Sequence, residues 1–224
     1  MLQQTKAKIF LAGERGLSET DWFRSYTTFN FGSYQNEYKT PVGPLYVLND
    51  ETLAGGHQAK YLVEEDSLIV LLPVVGTIVR KTENEETFLQ AGEAQVIYCS
   101  SNSAIEIANP YETELVNYLQ LWFRYSANAD FNKISSFDLT STKNELINFF
   151  NSEIKLNIGK FDGRSEAIYH LSRDASAFVF VIQGAFEVQN RLLEAKDGLA
   201  LENVKEIEME ALSNDAILLI IEVP

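Results

Sequence analysis

Cysteine and histidine are nearly missing from this chain of 224 residues, which has one cysteine, Cys99, and two histidines, His57 and His170. A single cysteine excludes an internal disulfide, and its neighbours Val96, Ile97 and Tyr98 mark it as a small buried residue rather than a reactive thiol. One histidine in each half excludes a site that draws several imidazoles from either half alone. Positive charge is also short: Lys+Arg number 18 against Asp+Glu 32, a formal net charge of −14, so a phosphate backbone would be repelled and direct nucleic-acid binding is not expected. No apolar run approaches the ~18 residues of a membrane span, and the opening residues lack a signal-peptide core, so a cytoplasmic protein without membrane contact is expected. The phosphate-binding loop, the dinucleotide turn after a strand, the CxxC pair and the nucleophile elbow are all missing, which removes the common cofactor and nucleophile signatures.

What is present is strand. In 205–212 the apolar Ile207, Met209 and Ala211 alternate with Glu206, Glu208 and Glu210, the period of two that gives a strand one wet and one dry face. The runs 68–79 and 178–188 are almost continuously apolar and broken by Gly76 and Gly184, so each is expected to be a buried hairpin. A shared phrase follows each run, Leu89-Gln90-Ala91-Gly92-Glu93 and Leu193-Glu194-Ala195-Lys196-Asp197. Each half then closes on an apolar strand, 115–123 and 216–223, and this repeated order implies an internal duplication of one β-barrel unit. Between the halves, Thr142-Lys143-Asn144-Glu145 has the pattern of a capping box before Leu146, Phe149 and Phe150 at helical spacing, so a short connecting helix is expected there.

Over Thr28-Phe29-Asn30-Phe31-Gly32, Gly43-Pro44-Leu45-Tyr46-Val47-Leu48-Asn49-Asp50, Ala91-Gly92-Glu93-Ala94-Gln95-Val96 and Leu119-Gln120-Leu121-Trp122-Phe123 the chain resembles the pirins, the bicupin family that includes bacterial quercetin dioxygenases. The resemblance implies an all-β bicupin, two tandem double-stranded β-helix (jelly-roll) barrels with a short connecting helix. It places the first barrel at 1–125, a connecting segment at 126–150 and the second barrel at 151–224. Pirins hold a metal with three histidines and a glutamate in the first barrel. The positions that match those ligands here are Leu62, Glu64, Ile105 and Ile107, with Asn109 and Pro110 fixing the register. No metal and no cofactor is therefore expected, and the four residues are expected to line a small apolar pocket at the barrel mouth.

Three functions follow from this pattern. One is a metal-free pirin-like protein that binds a small apolar molecule or a protein partner, in keeping with family members that act as transcriptional cofactors through protein contacts. Another is a cofactor-independent enzyme with Glu64 as acid or base in a dry pocket. The last is the quercetin dioxygenase activity of the family taken literally. His57, in a glycine-rich approach to the mouth, and Tyr98 are further candidate ligand contacts, as are the rings of Trp22 and Trp122. His170 reads as a structural residue of the second barrel.

Overall fold

The computed structural model describes residues 6–82, 85–126, 131–172 and 175–224. After β1 (Lys6–Phe10), the first barrel comprises β2 (Gly16–Glu19), β3 (Phe23–Thr27), β4 (Leu45–Leu53), β5 (Gln58–Val63), β6 (Ser67–Val75) and β7 (Thr77–Lys81), followed by β8 (Glu86–Gln90), β9 (Glu93–Cys99), β10 (Ser103–Ala108), β11 (Val116–Arg124) and β12 (Asn132–Ser136). The remaining strands are β13 (Leu146–Asn151), β14 (Lys155–Phe161), β15 (Glu166–His170), β16 (Ser176–Gln183), β17 (Phe186–Val188), β18 (Arg191–Leu193), β19 (Gly198–Glu202), β20 (Glu206–Ala211) and β21 (Ala216–Val223). The helical content among the described residues is a single 3-10 turn, Ala12–Glu14, and no helix is long and apolar enough to cross a membrane.

The chain divides into two compact units, Gly16–Ser136 and a second one that joins the described residues up to Arg15 to Phe137–Pro224. In the first unit a seven-stranded sheet, β12-β9-β6-β11-β4-β3-β2, faces a four-stranded sheet, β5-β10-β7-β8. Its core lies between them and includes Val63, Ile69, Leu71, Ile105, Ile107, Tyr118 and Trp122. The second unit repeats the plan with β1-β19-β16-β21-β14-β13 and β15-β20-β17-β18 around Phe161, Val179, Phe186, Leu199 and Ile220. This is the all-β two-barrel architecture expected from the duplicated pattern.

Three details differ from expectation. No helix forms in the described part of 126–150, whose residues 127–130 lie outside the described ones. Asn144 sits at φ 63, outside helical space, accepts from the Asp162 backbone N–H through Oδ1, and its own N–H donates to Lys160 O. Hairpin pairing of β13 with the next strand, β14, then overrides the capping signal, and a bulge between Asn148 and Phe150 lets Phe149 and Phe150 both be buried.

The glycine-broken runs are also not hairpins. β6 pairs with β9 and β11 whereas β7 pairs with β8 and β10, so at Gly76 the chain leaves one sheet for the other. Gly184 does the same between β16 and β17. Both glycines have φ 78, and a Cβ at either would crowd Val116 or Ala216 at less than 3 Å, which makes the corner a glycine position. Chain order, finally, assigned all of 1–125 to the first barrel, yet β1 pairs with β19 in the second unit's sheet. Phe10, 1% exposed, packs edge-on against Phe178 there at 5.4 Å, and the strand covers an edge that would otherwise stand open.

Candidate functional site

The period-two alternation of β5 decides which side chains enter the first barrel. Ala59 and Val63 are buried and Tyr61 points the same way, while Lys60 and Leu62 turn outward, Leu62 to 61% exposure. β10 pairs with β5 so that Ile105 faces Tyr61 and Ile107 faces Ala59, and both isoleucines are core residues. Of the four expected pocket positions, Ile105 and Ile107 thus lie in the interior, whereas Leu62 and the exposed Glu64 border an outer groove of about 480 Å³. The residue across from Ile105 is Tyr61, one position before Leu62, so the four do not come together as one pocket.

That groove is lined by Phe31, Tyr46, Tyr61 and Trp122, and the first three rings each meet the Trp122 ring edge-on. Arg124 lies 4.8 Å from the Tyr46 ring centre and is fixed by Glu65, Nε to Oε2 2.7 Å. His57 is exposed and stacks on Trp22 at 5.2 Å, outside the groove. Tyr98, paired with Leu68 on β9, does not line it either; burial raises its hydroxyl pKa, and Asp66 adds to the rise. The Cys99 thiol is likewise pushed up, to about 11, by burial against the pull of Arg80, so it is protonated and unreactive at neutral pH. His170 is an exposed partner of Glu206 at 3.5 Å.

The interior holds a site that the motifs did not single out. Glu51, on β4, has no exposed surface. Its Oε1 accepts from Ser25 Oγ at 3.0 Å and Asn49 Nδ2 at 3.3 Å, and its Oε2 from Tyr61 Oη at 2.5 Å and Gln120 Nε2 at 2.6 Å. Tyr61 and Tyr118 hydroxyls lie 3.2 Å apart, and Trp122 Nε1 donates to Gln120 Oε1 at 3.0 Å. Loss of hydration raises the Glu51 pKa above that of an ordinary glutamate even though Tyr61, Gln120, Tyr118 and Ser25 favour its ionised form. Burial and then the Glu51 charge push both tyrosine hydroxyls well up. Chemically this is a buried carboxyl whose ionised form lacks a cationic partner, joined through one tyrosine hydroxyl to a second. Its signal in the sequence was an acidic pair, Asp50-Glu51, within a strand that opens Leu45-Tyr46-Val47-Leu48, together with a lone glutamine in Leu119-Gln120-Leu121.

The second barrel has a counterpart. Glu222, 3% exposed, accepts from Tyr169 Oη at 2.7 Å, Lys155 Nζ at 3.0 Å and the Ser172 backbone N–H at 3.2 Å. Burial pushes its pKa up, but the bonds from Ser172, Tyr169 and Lys155 outweigh that and leave it below the ordinary value.

Residues 147–223 match the family described as the quercetinase C-terminal cupin domain. Over 220 residues the chain is 21% identical to quercetin 2,3-dioxygenase of Escherichia coli strain K12, a match that covers 93% of this chain and 95% of that protein. The crystal structure of YhhW from Escherichia coli shares the fold at a TM-score of 0.84 and 20% identity, with 98% of each chain covered. A structure of the bacterial pirin YhhW in complex with nickel(II) gives 0.80 at 19% identity, covering 98% of this chain and 99% of that one. Two barrels, each with a sheet crossing at a glycine, and a matched C-terminal domain agree: the chain has the bicupin fold of the bacterial pirins and ends in a cupin domain of the quercetinase C-terminal kind.

Proposed function

We propose that this protein is a metal-free member of the quercetin dioxygenase-like cupins that binds a small organic molecule at the mouth of its first barrel, without redox catalysis. The carrying observation is the donor set at the positions where the family keeps its ligands. Ile105 and Ile107 are packed in the core, Leu62 faces solvent, and Glu64 alone offers an oxygen, from outside the core. An aliphatic floor and one exposed carboxylate do not fit a first-row transition metal, which needs several converging nitrogen or oxygen donors to replace its hydration. Among the described residues no three His, Cys, Asp or Glu side chains are grouped as ligands would be. The groove that Leu62 and Glu64 border is lined by four aromatic rings with Lys60, Glu65 and Arg124 among its charged residues, which suits a planar or apolar guest with a polar edge.

Glu64 is a poor acid or base in this reading, because it stands exposed beyond the end of β5 with no dry surroundings. A protein partner would meet a chain of net charge −14, and a basic or neutral surface suits that charge better than nucleic acid does. The test is elemental analysis of the full chain purified without chelators, with oxygen uptake on quercetin measured before and after incubation with iron, nickel and copper. Metal far below one per chain and no uptake are expected. Close to one transition metal per chain, or vigorous uptake after reconstitution, overturns the proposal.

A further inference from the structure

Behind the groove, and sharing Phe31 and Tyr61 with it, lies a second cavity of about 130 Å³ bounded by β3, β4 and the stretch 31–34. Four aromatic residues, Phe23, Phe31, Tyr34 and Tyr61, form much of its wall, and Glu51 with Ser18, Ser25, Thr27 and Ser33 supplies its polar part. Among the described residues no Lys, Arg or His lines it. Every hydrogen-bond partner that the described residues give the Glu51 carboxylate, Ser25, Asn49, Tyr61 and Gln120, is neutral. A carboxylate removed from water ordinarily keeps its charge only beside a cation. The second barrel follows that rule within the chain, where the Lys155 ammonium stands 3.0 Å from buried Glu222.

An independent feature of the same cavity points to an occupant. Thr27 is 5% exposed, lines the cavity, and its Oγ1 has no hydrogen-bond partner. A buried hydroxyl left unpaired forfeits a hydrogen bond, which a guest offering a complementary group restores. Aromatic faces around an anionic group are the surroundings that hold ammonium ions, through attraction to the ring quadrupoles as well as to the charge. The volume compares with the ~150 Å³ apolar cavity that takes benzene, so about six or seven heavy atoms fit.

We propose that this cavity binds a small organic ammonium ion, its cationic group set among Phe23, Phe31, Tyr34 and Tyr61 beside Glu51, and a polar group of the ion meeting Thr27 Oγ1. The assignment rests on the binding function proposed above and extends it from the groove to the smaller cavity beside it, with one ligand class there. The guest completes in the first barrel the charge pair that Lys155 completes in the second. Entry runs past Phe31 and Tyr61, which belong to both the groove and the cavity.

The test titrates the full chain with choline and with 3,3-dimethylbutan-1-ol, its neutral isostere, and follows first-barrel resonances by NMR. Choline is expected to bind about tenfold tighter or more than the alcohol. Glu51→Gln should erase that preference, and Thr27→Val, which keeps the side-chain shape, should weaken choline about fivefold. The valine variant and the wild-type comparison stand on their own if Glu51→Gln does not fold. Equal binding of the two compounds overturns the ammonium assignment and leaves the binding function intact. No shift with either compound overturns the cavity assignment while the groove function stands or falls by its own test, and choline binding untouched by Thr27→Val and by a folded Glu51→Gln overturns this cavity as its site.

Discussion

Each barrel buries one glutamate beneath a tyrosine hydroxyl, and the two carboxylates are pulled in opposite directions. Glu51 collects four neutral donors and still has a raised pKa; Glu222 collects three, one of them an ammonium and one a backbone N–H, and has a lowered one. The number of donors does not decide the outcome. The balance with burial does: at Glu51 the complete loss of water costs the ion more than its hydroxyls and amides return, while at Glu222 the bonds from Ser172 and Tyr169, joined by the Lys155 ammonium, outweigh the burial. The second carboxylate is therefore self-sufficient, and the first is left wanting either a proton or a cation.

The contrast can be broken most directly by removing each carboxylate. Glu51→Ala strands the side-chain donors of Ser25, Asn49, Tyr61 and Gln120 in the core and should cost about 3 kcal/mol in urea denaturation. Glu222→Ala should cost about 1 kcal/mol, since the Lys155 side chain is 27% exposed and can turn to water. Equal losses would mean that the two sites are held in the same way. A smaller effect is expected from Lys155→Met, about 1 kcal/mol or less, with the Glu222 carboxyl carbon titrating at higher pH by NMR. An unmoved titration would show that Ser172 and Tyr169 suffice.

The least pronounced effect is the pH dependence. Because the folded-state pKa of Glu51 is raised, the native state holds its proton longer, so this group's contribution is complete below the unfolded value near 4.5 and is lost as pH rises through the raised folded value. Glu222 acts the other way, contributing above about 4.5 and losing that contribution as pH falls through its lowered folded value. Stability curves of Glu51→Gln should thus be flatter on the rising side and those of Glu222→Gln flatter on the falling side. Matching changes on one side would remove the distinction.

Much of this fold could be read from the chain itself. Alternation in Glu206–Ala211, the apolar closing strands and the two shared phrases are local signals, and each became a strand or a strand junction. The phrases even occupy the same backbone bend, with Gly92 at φ 92 in one barrel and Lys196 at φ 73 in the other. The misreadings arose where strands meet. A glycine announces a change of direction without saying which sheet receives the chain, so Gly76 and Gly184 looked like hairpin tips. The capping pattern at Thr142 was overridden by pairing with β14. Leu62 was placed at the pocket by its match to a ligand position of the pirins, and a match of letters does not set the phase of a strand, which the register of Ile105 against Tyr61 does. Glu51 was passed over because what makes it unusual, donors 10 and 69 residues further along, is invisible until β4 meets β5 and β11.

The pairing of β1 with β19 bears on how the protein is made. Residues 16–136 supply every strand of the first barrel in one continuous stretch, so that barrel can close while the ribosome is still producing the other. The ladder of Lys6–Phe10, by contrast, waits for Gly198–Glu202, nearly the whole length of synthesis. The barrel finished last is fastened by the earliest described strand to be translated, and a nascent chain truncated before residue 198 would carry that strand without its partner.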